Sequence, residues 1–295
     1  MLMLISIITL NFKKSELTTA CMSSLYGQFR QELENDTIEL IIVDNASGDN
    51  SVEVLDDEIK KKKYKGVRLI LNKNNSGFGA GCNFGATKAK GEYILFLNND
   101  TLIKDKGLLE MGEYMDRHAE IAILGGQLRN FDGTLQPSAG NFYTLKNVLL
   151  LLIGMQRYGF LDRSPKKIMQ VDWVKGGLML IRKEVFRKLQ GFDEKIFMYT
   201  EDMELCYRAH LMGYKIYFYP DVYVLHAEQG SSSRTFAIVN IYKNLLYFYK
   251  KHRSRSEYQL LKFLLRCKAI MLISIGKILH NSYLIDTYRK ALVEI

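Results

Sequence analysis

The chain predicts an α/β fold built on a mainly parallel sheet flanked by helices, with a helical appendage after it. Three observations carry that expectation. Short aliphatic runs alternate with segments long enough for crossover helices through the first hundred residues, at Leu4–Ile8, Leu40–Val43, Val67–Leu71 and Tyr93–Leu97. A polar residue follows each run, Asn11, Asp44, Asn72 and Asp100 in turn, and open sheets of this kind hold ligands beyond the carboxyl ends of their strands. Past Arg234 the pattern changes to helix with aromatic and basic residues, so a catalytic domain over 1–235 and a smaller helical region over 236–295 are expected.

The elements follow in order. Asn50-Ser51-Val52-Glu53 reads as a helix start, with Asn50 capping and Glu53 returning the bond. A helix over Asp105–His118, a strand at Ile121–Leu124 and a less regular stretch from Arg129 to Gln170, holding Pro137 and Pro165, come next; this stretch is the expected variable insertion. Val171–Val174 and Leu178–Ile181 read as strands, Lys183–Leu189 and Glu201–Met212 as helices, the latter capped by Thr200. Lys215–Tyr219 and Val222–Leu225 read as two short strands flanking Pro220-Asp221. From Leu260 to Leu279 apolar residues dominate, with Lys262, Arg266 and Lys277 on one side of a helical wheel, as suits either an anionic membrane surface or a helix packed on the catalytic domain.

Composition narrows the classes. With 295 residues, 47% hydrophobic and 25% charged, the chain can bury a substantial core and is no disordered or low-complexity polymer. A formal charge of +9 favours polyanionic partners, among them nucleotides and phospholipid surfaces. Cys21, Cys82, Cys206 and Cys267 are scattered without a Cys-x-x-Cys pair, which reads as reduced thiols in a cytosolic setting. The first residues lack a basic n-region and a cleavage site and read as a strand, and no segment reaches the ~18 uncharged apolar residues of a spanning helix.

Several constellations bear chemistry. Asp44 precedes the turn-forming cluster Asn45-Ala46-Ser47-Gly48-Asp49, where a carboxylate can accept bonds from a nucleoside. The glycines of Asn75-Ser76-Gly77-Phe78-Gly79-Ala80-Gly81 open a helix but miss both the dinucleotide and the Walker spacing, leaving close packing or ligand contact as their reason. Asn98-Asn99-Asp100 places polar groups at the tip of a buried strand, as a divalent cation or a plain turn requires. Glu201-Asp202 would stand in a first helical turn, favoured by the helix dipole whatever its chemistry, but the apolar run before it can raise a carboxylate's proton affinity enough for general-base work. His226 ends a strand and precedes a small-residue loop that can close over a diphosphate, with Arg234 adding charge.

Taken together, Ser6–Asn11, Val43–Asp49, Asn75–Asn83, Leu97–Asp100, Gly191–Glu194, Tyr199–Asp202 and His226 resemble the GT-A glycosyltransferases of family 2, in particular their rhamnosyltransferase-like branch. The resemblance implies a nucleoside-diphosphate sugar donor, dTDP-rhamnose first and UDP-sugars as alternatives, and a glycan or lipid-linked acceptor, with no nucleic acid. It implies that Asp44 meets the pyrimidine and that Thr9, Asn11, Asn75, Gly77, Asn98 and Asn99 belong to the donor site. Asp100 and His226 would hold Mg²⁺ or Mn²⁺, and Asp202, with Glu201 as second choice, would be the base of an inverting displacement at the inner face of the cytoplasmic membrane. One departure stands out: Asn98 replaces the first acid of the family's frequent Asp-x-Asp, which implies a weak or adaptable metal requirement. A competing reading is a nucleotide-sugar binding module that keeps the fold without turnover; a nucleotidyltransferase would need a glycine- and basic-rich loop after the first strand, which is absent.

Overall fold

The computed structural model describes residues 5–153, 162–227 and 233–295. Strands β1 (Ile5–Asn11), β2 (Ile38–Asp44), β3 (Val67–Leu71) and β4 (Tyr93–Leu97) alternate with helices α1 (Ser15–Glu34), α2 (Ser51–Lys62) and α3 (Phe78–Ala86). Then come β5 (Thr101–Leu102), α4 (Gly107–Arg117) and β6 (Ile121–Arg129). The irregular stretch expected after Arg129 consists of β7 (Leu135–Gln136), β8 (Ala139–Gly140), α5 (Leu145–Leu152), β9 (Asp162–Arg163) and β10 (Met169–Gln170). β11 (Trp173–Val174), β12 (Leu178–Arg182), α6 (Lys183–Lys188), α7 (Glu201–Leu211) and β13 (Lys215–His226) follow. The chain ends in α8 (Arg234–His252), α9 (Arg255–Ile278) and α10 (Ser282–Val293).

The main sheet runs β10-β13-β6-β12-β4-β1-β2-β3, with β5 on β13 and β7 on β6; β11, β8 and β9 form a small second sheet. β3, β2, β1 and β4 are mutually parallel, and β6 is parallel to β13. β12 runs antiparallel to both of its neighbours, β4 and β6. Both faces are covered, which is why the strands read as continuous apolar runs. Ile5, Ile7, Leu40, Ile42 and Leu95 pack with Met22, Leu25 and Phe29 of α1. On the opposite face α3 lies so close that a Cβ on Gly85 would fall 2.7 Å from the Ile8 side chain, and one on Gly81 2.5 Å from Leu10. Those two glycines therefore serve close packing.

Within the described residues the chain divides into two compact units. One comprises Met1–Phe142, Asp162–Lys195 and Asp202–Gln229; the other comprises Tyr143–Leu161, Ile196–Glu201 and Gly230–Ile295. In the second unit Leu261, Leu265 and Ala269 bury one face of α9, and α10 packs along it.

Four local expectations need correction. Asn50 makes no side-chain cap; Asp49 Oδ1 accepts the Ser51 amide instead, and a capping box lies at Ser254 and Glu257. Thr200 does not cap α7: its backbone takes a φ of 66° and its buried hydroxyl has no hydrogen-bond partner among the described residues. Pro220-Asp221 does not divide two strands; β13 is one strand with a register shift between Tyr219 and Tyr223, where the ladder can spare a proline. Only Trp173 and Val174 of the run 171–174 form a strand, and it joins the small sheet.

Candidate active site

Backbone pairing brings the two expected cation ligands together. β5 lies antiparallel to β13 with Thr101 opposite His226, and the Ala227 amide donates to the Asp100 carbonyl at 3.0 Å. His226 Nδ1 stands 2.7 Å from Gln136 Oε1. The Gln136 amide nitrogen donates to Asn130 Oδ1 at 2.7 Å and to the His226 carbonyl at 3.0 Å, which fixes the oxygen toward the ring. An acceptor at Nδ1 places a proton there, so that in the neutral ring Nε2 carries the lone pair.

In that tautomer Nε2 accepts from Asn98 Nδ2 at 3.1 Å and lies 3.2 Å from Asp100 Oδ1. At this distance Nε2 and the carboxylate oxygen are drawn together either by a proton on the ring or by a cation between them. Two neighbouring ligands of a hard cation, each ~2.1 Å from it, stand about 3 Å apart, so the pair fits one divalent ion. The Gln136 contact to the far ring nitrogen is the usual support of a metal-binding histidine. Among the described residues no cluster of three His, Cys, Asp or Glu side chains is available to a metal, so further ligands would have to come from donor phosphates and water.

Asp202 is held from the turn between β11 and β12. Its Oδ2 accepts the Gly176 amide at 3.0 Å and its Oδ1 the Met203 amide at 2.7 Å. The next residue, Gly177, accepts the Asn98 amide at 3.2 Å, and a Cβ there would come within 3.2 Å of Asn98 Nδ2. Lys175-Gly176-Gly177 thus ties the expected base to the corner that carries Asn98. Burial raises the proton affinity of Asp202 above the ordinary aspartate range, against the pull of the two amides and the Lys175 charge. Asp162 on β9 is raised the same way, chiefly by burial, with Lys175 opposing and Asp202 reinforcing. Lys175 and Asp162 escaped the sequence reading; a Gly-Gly pair between two short apolar runs was the available signal for the turn.

Most of the remaining residues expected at the donor site form one hydrogen-bonded edge. Asn99 Nδ2 donates to Thr18 Oγ1 at 2.9 Å, Thr18 donates to Asn11 Oδ1 at 2.8 Å, and Asn11 Nδ2 donates to Asp44 Oδ2 at 2.8 Å. Asp44, only 2% exposed, also accepts the Ser47 hydroxyl at 2.6 Å and amide at 3.0 Å. Thr9 is buried and its hydroxyl donates to the Leu97 carbonyl, which ties β1 to β4. Asn45 Nδ2 donates to Asn75 Oδ1 at 3.0 Å and to the Gly77 carbonyl at 3.2 Å. Gly77 itself has a φ of 101°, a conformation reserved for glycine, and turns the chain into α3. Thr18, on α1, was not foreseen, since nothing in the sequence links it to Asn99, 81 residues away.

Glu201 and Arg234 belong to the helical unit, Glu201 buried at the start of α7 and Arg234 exposed at the start of α8. Residues 228–232 of the loop expected to close over the diphosphate lie outside the described residues.

The model of Glycosyl transferase family 2 matches residues 6–190, more than half of the chain. The chain belongs to that family. Among its family relatives, Escherichia coli rhamnosyltransferase WbbL is 29% identical over 145 residues, covering 47% of this chain and 53% of WbbL, so the chain spans about half of that relative. Streptococcus pneumoniae glycosyltransferase GlyG is 26% identical over 79% of this chain and 73% of its own. The Mycobacterium tuberculosis N-acetylglucosaminyl-diphospho-decaprenol L-rhamnosyltransferase is 25% identical over 67% of this chain and 69% of its own. Of solved structures, the Pyrobaculum calidifontis mannosyltransferase PcManGT, in complex with GDP-Man and Mn²⁺, superposes with a TM-score of 0.59 at 15% identity, covering 98% of this chain and 74% of that one. The fold is the GT-A fold, with a helical C-terminal region.

Proposed function

We propose that this family 2 enzyme transfers a sugar from a nucleoside-diphosphate donor to a hydroxyl of a glycan or lipid-linked acceptor, with inversion at the anomeric carbon. The observation that carries the reading is the facing of Asp100 Oδ1 and the His226 Nε2 lone pair at 3.2 Å. These two residues would hold Mg²⁺ or Mn²⁺, which supplies charge stabilisation for the departing diphosphate. Asp202 takes the proton of the acceptor hydroxyl; the acceptor oxygen forms its bond to the anomeric carbon as the bond to the diphosphate oxygen breaks, and the nucleoside diphosphate leaves with that electron pair. The raised proton affinity of Asp202 suits it to this task. The edge from Asn99 to Asp44 and Ser47, with Asn75 and Gly77 beside it, is the donor cradle, and Asp44 meets the base. The rhamnosyltransferase relatives favour dTDP-rhamnose and synthesis of a cell-surface polysaccharide. UDP-sugars are the alternative, since TarS from S. aureus, crystallised with UDP-GlcNAc, shares the fold.

A screen of dTDP- and UDP-sugars with Mn²⁺ or Mg²⁺, following release of nucleoside diphosphate, tests this. Cation-dependent release from one donor, lost on chelation, is expected. Saturable donor binding without release under all conditions would favour the binding-module reading.

The acceptor reading extends to an anionic membrane surface on the cytoplasmic side, with the chain held there peripherally. No helix of the described residues is long and apolar enough to cross a membrane. On α9, however, Leu260, Phe263, Ile270, Met271 and Ile278 are exposed beside the exposed Arg266 and Lys277. The full chain is expected to float with phosphatidylcholine vesicles containing phosphatidylglycerol, and a Phe263→Asp, Ile270→Asp double variant to stay behind. Equal flotation of both would refute the membrane face.

A further inference from the structure

The segment leading into the expected base is held in an unfavourable backbone conformation. Tyr199 and Thr200 have φ values of 71° and 66°, two consecutive non-glycine residues in the left-handed region, immediately before Glu201 and Asp202. Each such residue costs about 1 kcal/mol or more and persists only where its surroundings fix it. The fixing group is visible in the helical unit. Asn244, in the middle of α8 and 2% exposed, donates from Nδ2 to the Met198 carbonyl at 2.9 Å and to the Tyr199 carbonyl at 2.8 Å. Asparagine is a poor helix former, and burying its amide is costly without partners, so packing alone gives no reason for it here. About two turns earlier on the same helix, the Phe236 ring meets Phe197 and Tyr199, at centroid distances of 6.2 and 6.5 Å. Ile196, which opens the segment, is fully buried.

We propose that Asn244 is a positioning residue for sugar transfer: by clamping the Met198 and Tyr199 carbonyls it holds the left-handed Tyr199-Thr200 step that delivers Asp202. This rests on Asp202 being the base. Asn244 touches neither donor nor acceptor in this account and acts through the backbone three residues ahead of the carboxylate.

The test uses the full-length chain and the variants Asn244→Ala, Thr200→Gly and their combination, with Asp202→Asn in parallel. Asn244→Ala is expected to lower kcat by about 10- to 100-fold, the scale of an ~1 Å misplacement, with binding of dTDP and UDP in Mn²⁺ unchanged. Thr200→Gly in the Asn244→Ala background is expected to restore part of kcat, because glycine takes the left-handed conformation without a clamp. Hydrogen exchange, which needs no turnover, is expected to quicken over residues 199–203 in Asn244→Ala while the rest of the sheet keeps its protection. Unchanged exchange there, or a loss of kcat that follows general unfolding and is not rescued by glycine, overturns the proposal. An inactive Asp202→Asn beside a fully active Asn244→Ala refutes the clamp and leaves the base assignment standing; an active Asp202→Asn refutes the base itself.

Discussion

Glu39 and Asp202 are carboxylates of the same unit, yet their surroundings push them in opposite directions. Glu39 sits near the amino end of β2, opposite Ser6 of β1 in the ladder. Burial alone would raise its proton affinity, but the Ser6 hydroxyl, the Lys90 amide and the Arg68 guanidinium, each 2.6 Å away, outweigh it and the net direction is down. For Asp202 the backbone amides of Gly176, Met203 and Asp202 itself and the Lys175 charge do not outweigh burial, and the direction is up. The amino edge of the sheet is thus closed with a satisfied ion and contributes stability. The carboxyl edge leaves a carboxylate that favours taking a proton, which is what a base requires.

The largest expected effect that separates the two edges is at the cation pair. His226→Ala is expected to lower turnover by ~100-fold or more with little change in the denaturation midpoint, because it removes a ligand and no core volume. Glu39→Ala should do the reverse: about 3 kcal/mol of stability lost in urea denaturation, since Arg68 and the Lys90 amide lose their acceptor, with turnover per folded molecule unchanged. A Glu39 variant that folds well but transfers poorly would erase the distinction.

A milder substitution sharpens the comparison. Gln136→Leu frees the His226 tautomer while keeping both ligands, and is expected to raise the Mn²⁺ concentration for half-maximal rate by ~10-fold or more.

The pH dependences should also diverge. The folded pKa of Glu39 lies below its unfolded value, so its stabilisation is present above the unfolded value and is lost as pH falls through the folded one. For Asp202 the folded value lies above the ordinary ~3.9, so ionising it costs stability above the unfolded value, and kcat/KM falls on acidification at a pH above the usual aspartate range. The charged neighbour that sets this limb is Lys175, and Lys175→Met is expected to move the limb to higher pH, the smallest of these effects.

How far the sequence led is visible in the same residues. The strands β1 to β4 and the tip residues Asn11, Asp44 and Asp100 were legible because local periodicity and a polar stop mark them. Gln136, Lys175 and Thr18 were not, because their roles arise from long-range pairing: β7 on β6, the turn before β12, and α1 laid across the strand tips. No spacing rule links residues that meet only through sheet order. The capping positions at Asn50 and Thr200 misled for a related reason. A suitable side chain is present, but the backbone takes another course, at Thr200 a left-handed one held from α8 through the neighbouring Tyr199 carbonyl.

The measurement that tests the central claim most directly is turnover of Asp202→Asn on the donor found in the screen, beside calorimetric binding of the matching nucleoside diphosphate in Mn²⁺. Binding close to that of the unaltered chain with transfer reduced by ~10²–10⁴-fold is predicted for a base that acts on the acceptor alone. Transfer retained at the original rate, or nucleotide binding lost together with transfer, would contradict it.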